Sequence, residues 1–293
     1  MTASEWPDLS GQVAIVTGAT SGIGREVALG LARQRATTIV IGRGEGRAAT
    51  TASEITAVTG NPNVEGLRVD DLALLSSTRE LAAVLVESCP RVNILVNNAG
   101  AFFRRRELTS EGLERTLALN VLSPFLLTTL LTPRLISSAP ARVVNVASAA
   151  HRTGKVDFSD LQASRNYRGF SVYGGSKLEL IWLTREFARR LRGTGVTVNA
   201  VHPGFVRSGF GLNNGGGTAI GMKLLQLLFA RSAARGADTV LYAAMATDLI
   251  GVSGEYLSDR KQIPGSEESR NATRAAQIFD ACAGLTGLAR PTP

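Results

Sequence analysis

The sequence predicts an α/β protein: a doubly wound parallel sheet with helices on both faces. Three observations carry that expectation. Short apolar runs alternate with stretches of helical spacing along most of the 293 residues, as parallel strands and crossover helices do. Hydrophobic residues make up 44% of the chain, enough for a sheet buried on both sides. Glycines cluster between the first apolar run and the first helical stretch, where a strand must turn sharply into a helix.

Seven strands are expected, at Val13–Thr17, Thr37–Ile41, Val64–Val69, Ile94–Asn97, Arg142–Ala147, Val196–Val201 and Glu255–Leu257. Helices are expected at Arg25–Arg33, where Val27, Ala28, Leu31 and Ala32 share a face, and at Ala48–Val58, Ser76–Ser88, Leu113–Leu135 and Val172–Arg192. Pro124 and Pro133 are expected to kink or end the fourth of these. The segment at about 208–235 breaks the alternation: glycine-rich at Gly209 to Gly217, it runs into the apolar amphipathic Ala219 to Ala230. It reads as a helix packed on the body, as a lid hinged on its glycines, or, more weakly, as a membrane-surface element. No linker or repeat divides the chain. Residues 1–293 are therefore expected to form one domain, with a C-terminal extension at about 260–293 whose last residues are disordered.

Four segments carry chemistry. Gly18, Gly22 and Gly24 let the chain turn tightly and aim a helix N-terminus at a pyrophosphate. Their spacing, G-x-x-x-G-x-G, departs from the common dinucleotide fingerprint, and a bare strand-to-helix turn is the bland alternative. The fourth and fifth strands deliver Asn98, Ala99, Gly100 and Ser148 to the carboxyl edge of the sheet, where such sheets bind ligands. Tyr173 and Lys177 lie four apart in a helical stretch, so phenol and ammonium share a face. A neighbouring cation favours the phenolate, so Lys177 is expected to lower the tyrosine pKa from about 10 and make it a general acid or base. Taken alone, the pair's default reading is a surface tyrosine beside a solvated lysine.

In order, Thr17–Gly24, Asn97-Asn-Ala-Gly100, Asn120, Ser148, Tyr173-x-x-x-Lys177 and His202-Pro-Gly204 resemble the short-chain dehydrogenase/reductase family over nearly the whole chain. Val144-Asn-Val-Ala-Ser-Ala-Ala-His151, Ser176-Lys-Leu-Glu-Leu180 and Tyr256-Leu-Ser-Asp259 are similar to its retinol-dehydrogenase-like branch. The resemblance implies a Rossmann-type domain with strand order 3-2-1-4-5-6-7 and hydride transfer between a nicotinamide cofactor and a carbonyl or alcohol. Tyr173 would move the proton, Ser148 hold the carbonyl oxygen, Lys177 bind the nicotinamide ribose, and Asn120 position Lys177 through water. Cofactor contacts are implied for Gly18, Thr20, Ser21, Gly22, Ile23 and Gly24 in the loop, and for Asn98, Ala99 and Gly100. The adenine end falls to Asp71 and Leu72, with Asp70 as the fallback acid. The nicotinamide end falls to Pro203, Gly204, Val206 and Ser208. The resemblance also favours reading 208–235 as a substrate lid.

The end of the second strand bears on the cofactor. A site for NAD places an acid about 20 residues beyond the glycine loop. Here Gly42 stands there and Arg43 follows, and a guanidinium suits a 2′-phosphate. NADP(H) is therefore expected, with Arg25 and Arg47 adding to Arg43. Glu45 is mildly contrary, and Arg43 covering the adenine face is the bland reading.

A net charge of +8 raises nucleic acid as a partner, but the basic residues are scattered apart from Arg104-Arg-Arg106, and aromatics are only 5%. Without a stripe or a stacking pattern, no nucleic-acid partner is expected. The arginine triplet reads as a solvated loop or an entrance for an anionic group. Cys89 and Cys282 make no disulfide framework, which points to a reducing, cytoplasmic location. The N-terminus lacks a signal peptide and no apolar run of roughly 20 residues stands out, so no transmembrane anchor is expected. His151 and His202 have no metal-site spacing and are read as structural; no metal is expected. The expectation is an NADP-dependent oxidoreductase acting on a small lipophilic carbonyl or alcohol, with reduction favoured and a homo-oligomer compatible. Its rival is a catalytically silent NADP-binding regulator or scaffold, which would not need all four catalytic-type residues. Gly174-Gly175 and Phe102-Phe-Arg-Arg-Arg106 depart from retinoid-active relatives, so retinal itself is not inferred.

Overall fold

The computed structural model describes residues 6–204 and 232–288. One sheet runs β3-β2-β1-β4-β5-β6-β7-β8. Its strands are β1 (Val13–Thr17), β2 (Thr37–Arg43), β3 (Val64–Val69), β4 (Ile94–Asn97), β5 (Ala141–Val146), β6 (Val196–His202), β7 (Tyr256–Ser258) and β8 (Lys261–Gln262). The first seven are parallel, in the implied order. The eighth corrects the expected seven: it pairs antiparallel with β7. Asp259 and Arg260, both at positive φ, make the tight turn between them. Two residues are too few to show strand alternation in a sequence.

The helices are α1 (Gly22–Arg33), α2 (Arg47–Thr59), α3 (Leu75–Ser88), α4 (Arg115–Ser137), α5 (Gly169–Arg190), α6 (Ala233–Met245) and α7 (Ala272–Leu285). Strand alternation splits the interior into two cores. In β1, Val13 and Ile15 face one with Leu85, Phe125, Trp182 and Phe279. Ala14 and Val16 face the other with Val27, Leu31 and Val240. The helix after β1 begins at Gly22 rather than Arg25, so the glycine loop ends inside the first turn. Likewise β2 extends to Arg43, which places Gly42 within the sheet.

In α4 the backbone forms one π turn at Ala118–Leu122. Pro124 follows directly and cannot donate to the Asn120 carbonyl, whereas Pro133 is accommodated inside the helix. By length and composition α4 could cross a membrane, which the sequence reading did not anticipate. However, 72% of that window is buried inside the fold, as in a core helix.

The expected C-terminal extension is ordered over α7, which packs along α5. Phe125, Phe187 and Phe279 pack together there with centroids 5.0–5.7 Å apart. Asn271 caps α7 by accepting the Arg274 N–H at 3.1 Å. Of the expected lid, residues 232–235 are the cap and first turn of α6; the rest lies outside the described residues, as do residues 289–293.

Candidate active site

The carboxyl ends of β1 and β4 are tied into one unit. Thr17 Oγ1 donates to the Val96 carbonyl (3.3 Å) and accepts the N–H groups of Asn98 (3.0 Å) and Ala99 (3.1 Å). Asn98 Nδ2 donates in return to the carbonyls of Thr17 (2.9 Å) and Gly18 (3.2 Å). Gly18 and Gly22 sit at φ 64° and 56°, which favour glycine. A Cβ on Gly24 would run into Asn98 Nδ2 and the Gly18 carbonyl. Ser21 makes no side-chain cap on α1 and the first turn holds no acid. The first-turn N–H groups, around Ile23, are therefore left for an anion, so this loop fits a pyrophosphate.

At the end of β2, a Cβ on Gly42 would collide with the Thr20 methyl group. A side chain at position 42 would therefore require the Thr20 side chain to turn away. Arg43, next along, is exposed. Arg25 pairs with Glu54 (3.0 Å) and Glu26 (3.5 Å). Asp71 is held by Arg115 (2.6 Å) and accepts the Ala73 N–H (3.0 Å), beside buried Leu72. Asp70 is exposed and pairs with Arg68 at 2.7 Å. Pro203 and Gly204 follow β6, with Gly204 at φ 83°. Val206 and Ser208 lie outside the described residues.

Ser148, after β5, meets Tyr173 on α5 because two glycines permit it. A Cβ on Gly174 would lie 2.8 Å from the Ala150 carbonyl, and one on Gly175 would lie 2.9 Å from that of Lys155. The Gly174-Gly175 pair therefore lets α5 pack directly on the segment that follows Ser148. The Ser148 hydroxyl hydrogen-bonds the buried phenol, and the Phe102 ring stands edge-on to it at 6.1 Å. Lys177 Nζ lies 5.8 Å from the Tyr173 ring centroid and donates to the Val146 carbonyl at 2.9 Å.

Asn120, in the π turn, accepts the Ala101 N–H (3.0 Å) and donates to the Ala101 carbonyl (3.0 Å) and Ser176 Oγ (3.1 Å). Ser176 in turn donates to the Tyr173 carbonyl at 2.8 Å. Asn120 thus clamps the chain after Gly100 onto α5. A Cβ on Gly100 would lie 3.2 Å from Asn120 Oδ1 and 3.3 Å from Lys177 Nζ, so any side chain there would press on both polar atoms.

The electrostatics reverse one expectation. Burial pushes the Tyr173 phenol up to about 12, with the Ser148 hydrogen bond pulling the other way. Burial also brings Lys177 down to about 8. The two side chains are only 8% and 4% exposed, and loss of water outweighs the lysine's pull on the phenol.

Both histidines are structural, as the sequence reading has them, though their partners were not legible in it. His151 places Nδ1 2.7 Å from the Ser148 carbonyl, and its Nε2 accepts the Ser266 N–H at 3.1 Å. That acceptor role puts the ring proton on Nδ1, donating to Ser148. His202 Nδ1 accepts the Ala149 N–H at 3.2 Å. Both histidines fix the turn that carries Ser148.

A short chain dehydrogenase family model matches residues 12–214. Mouse (Mus musculus) retinol dehydrogenase 12 is 41% identical over 286 residues, spanning 96% of this chain and 88% of the relative. A crystal structure of a protein from Mycobacterium Paratuberculosis superposes with a TM-score of 0.80 at 29% identity, covering 100% of this chain and 99% of that one. A short chain dehydrogenase from Burkholderia cenocepacia J2315 in complex with NADP superposes at 0.66 with 26% identity, covering 85% and 96%. The chain belongs to the short chain dehydrogenase family and is an oxidoreductase of its retinol-dehydrogenase-like branch.

Proposed function

We propose that the protein is an NADP(H)-dependent reductase of lipophilic aldehydes or ketones. The observation that carries this reading is the Ser148–Tyr173 hydrogen bond beside the glycine loop, with Lys177 and Asn120 in the same shell. When bound, the nicotinamide supplies the hydride to the carbonyl carbon. The Tyr173 phenol carries its proton at neutral pH, as a donor to a forming alkoxide must. The Ser148 hydroxyl is placed to donate to the same oxygen. Once the proton leaves, the Lys177 ammonium stabilises the phenolate across a dry gap, where a charge pair is stronger than in water. Its pKa of about 8 keeps most of that charge at pH 7. Asn120 positions the pair through Ala101 and Ser176.

NADP(H) over NAD(H) rests on Gly42 standing where an acid would bind a ribose hydroxyl, and on the exposed Arg43 beside it. The NADP held by the Burkholderia neighbour supports it. A lipophilic substrate is supported by the Phe102 ring against Tyr173 and by the similarity to retinol dehydrogenases. The free, buried Cys89 and Cys282 support a reducing compartment.

The test is NADPH consumption over a panel of lipophilic aldehydes and ketones. Tyr173→Phe should lower turnover by about 10²- to 10⁴-fold while NADPH binding is retained. Turnover unchanged in that variant would rule out Tyr173 as the proton donor. A wild-type protein that binds NADPH yet reduces nothing in the panel would favour a regulator.

A further inference from the structure

A cleft of about 600 Å³ opens at the amino ends of β5 and β6 and ahead of β7. At about 3.3 Å per residue, β5 puts its rim at Ala141 roughly 20 Å from Ser148, at the opposite edge of the sheet. The volume suits a small ligand. Its lining carries four arginines, Arg142, Arg185, Arg189 and Arg192, against one acid, Glu255.

These arginines are not alike. Arg189 is neutralised by Glu186 at 2.7 Å. Arg142 donates inward to the carbonyls of Ala246 (2.7 Å) and Ala243 (3.3 Å), with Asp248 offsetting its charge from a distance. Arg185 has a buried Nε with no hydrogen-bond partner among the described residues, and only the longer-range pull of Glu255 opposes its loss of water. Arg192 stands exposed on the same lining, with no ion pair among the described residues. A buried charged donor left unpaired is costly, so the Arg185 guanidinium is under-partnered where it borders the cleft. Beside these forks the wall is apolar, with Leu191 and the 72% exposed Ile250.

We propose that this cleft is an anion site, separate from the cofactor crevice, for a phosphomonoester. The forks of Arg185 and Arg192 take the phosphate oxygens, and Leu191 and Ile250 receive the organic body. The phosphate can come from a soluble ester or from a lipid headgroup.

The test is calorimetric titration of phenyl phosphate into the wild type and three variants: Arg192→Gln, Arg185→Gln/Arg192→Gln, and Arg43→Gln. Wild type and Arg43→Gln should bind alike. Arg192→Gln should weaken binding about threefold or more, and the double variant at least about tenfold, with carbonyl reduction unchanged. Arg192 is exposed, so its single variant decides the matter if the double variant does not fold. Equal binding by wild type and Arg192→Gln would overturn the proposal. So would loss of binding in Arg43→Gln, which would place the anion in the cofactor crevice. Flotation with phosphatidylcholine vesicles, with and without phosphatidic acid, separates the sources. Flotation that needs phosphatidic acid and is lost in Arg192→Gln assigns a lipid headgroup. Phenyl phosphate binding without flotation assigns a soluble ester.

Discussion

Replacing Glu179 by glutamine probes the packing of the helix that carries Tyr173 and Lys177. Glu179 lies two residues beyond Lys177 and is 5% exposed. Burial, and then the charge of Glu114, push its carboxyl from 4.5 up to about 8. Glu114 is itself fully buried, but its oxygens accept the N–H groups of Thr116 and Leu117, both at 2.8 Å. Without water or such donors around it, Glu179 is the acid that keeps a proton. The native state then holds a proton that the unfolded chain releases. Stability from this residue is complete below pH 4.5 and is lost as pH rises through about 8. At about 1.4 kcal/mol per pH unit, the loss is about 3 kcal/mol at pH 7 and about 5 kcal/mol at pH 9. Glutamine keeps the shape and removes the titration. Glu179→Gln should match the wild type in urea unfolding at pH 5 and exceed it by several kcal/mol at pH 9. Parallel pH profiles for the two proteins would refute the buried neutral acid.

Arg43→Gln should raise the KM for NADPH about tenfold or more and leave NADH unchanged, since a charge-assisted hydrogen bond contributes about 1.5–3 kcal/mol. Steady-state kinetics with both cofactors checks this, and an equal change for each would count against the 2′-phosphate contact. Burial holds the His151 pKa below 6.5, opposed by its bond to the Ser148 carbonyl. The unfolded chain therefore takes up the proton first, and stability should fall as pH drops below about 6.5. His151→Gln should flatten that acid limb in unfolding measured from pH 5 to 7; an unchanged slope would show that His151 does not titrate this way.

Much of this architecture was legible because the central strands are short apolar runs: β1 and β4 fall where the sequence places them, as does the more polar edge strand β3. Spacing alone paired Tyr173 with Lys177, and the strand ends delivered Asn98 and Ser148 to one edge. What escaped depends on partners remote in sequence. His151 gains its meaning from Ser266, 115 residues away. Arg25 is claimed by Glu54, on another helix. Gly174 and Gly175 looked like departures from relatives until the backbone beyond Ser148 was seen against them. The direction of the Tyr173 shift follows from burial, which local spacing does not report. By contrast α7, absent from the expected helices, has Ala275, Ile278, Phe279 and Cys282 on one face, a spacing that could have revealed it.

That last helix has a bearing on how the protein is made. Its Phe279 packs edge-on against Phe125 and Phe187, with ring centroids 5.0 Å apart in each pair. A nascent chain stopped short of Ala272 has already synthesised its proton-transfer machinery but not the cover for these rings. Until that cover emerges from the ribosome, the greasy flank of α5 is open to chaperones and to neighbouring chains.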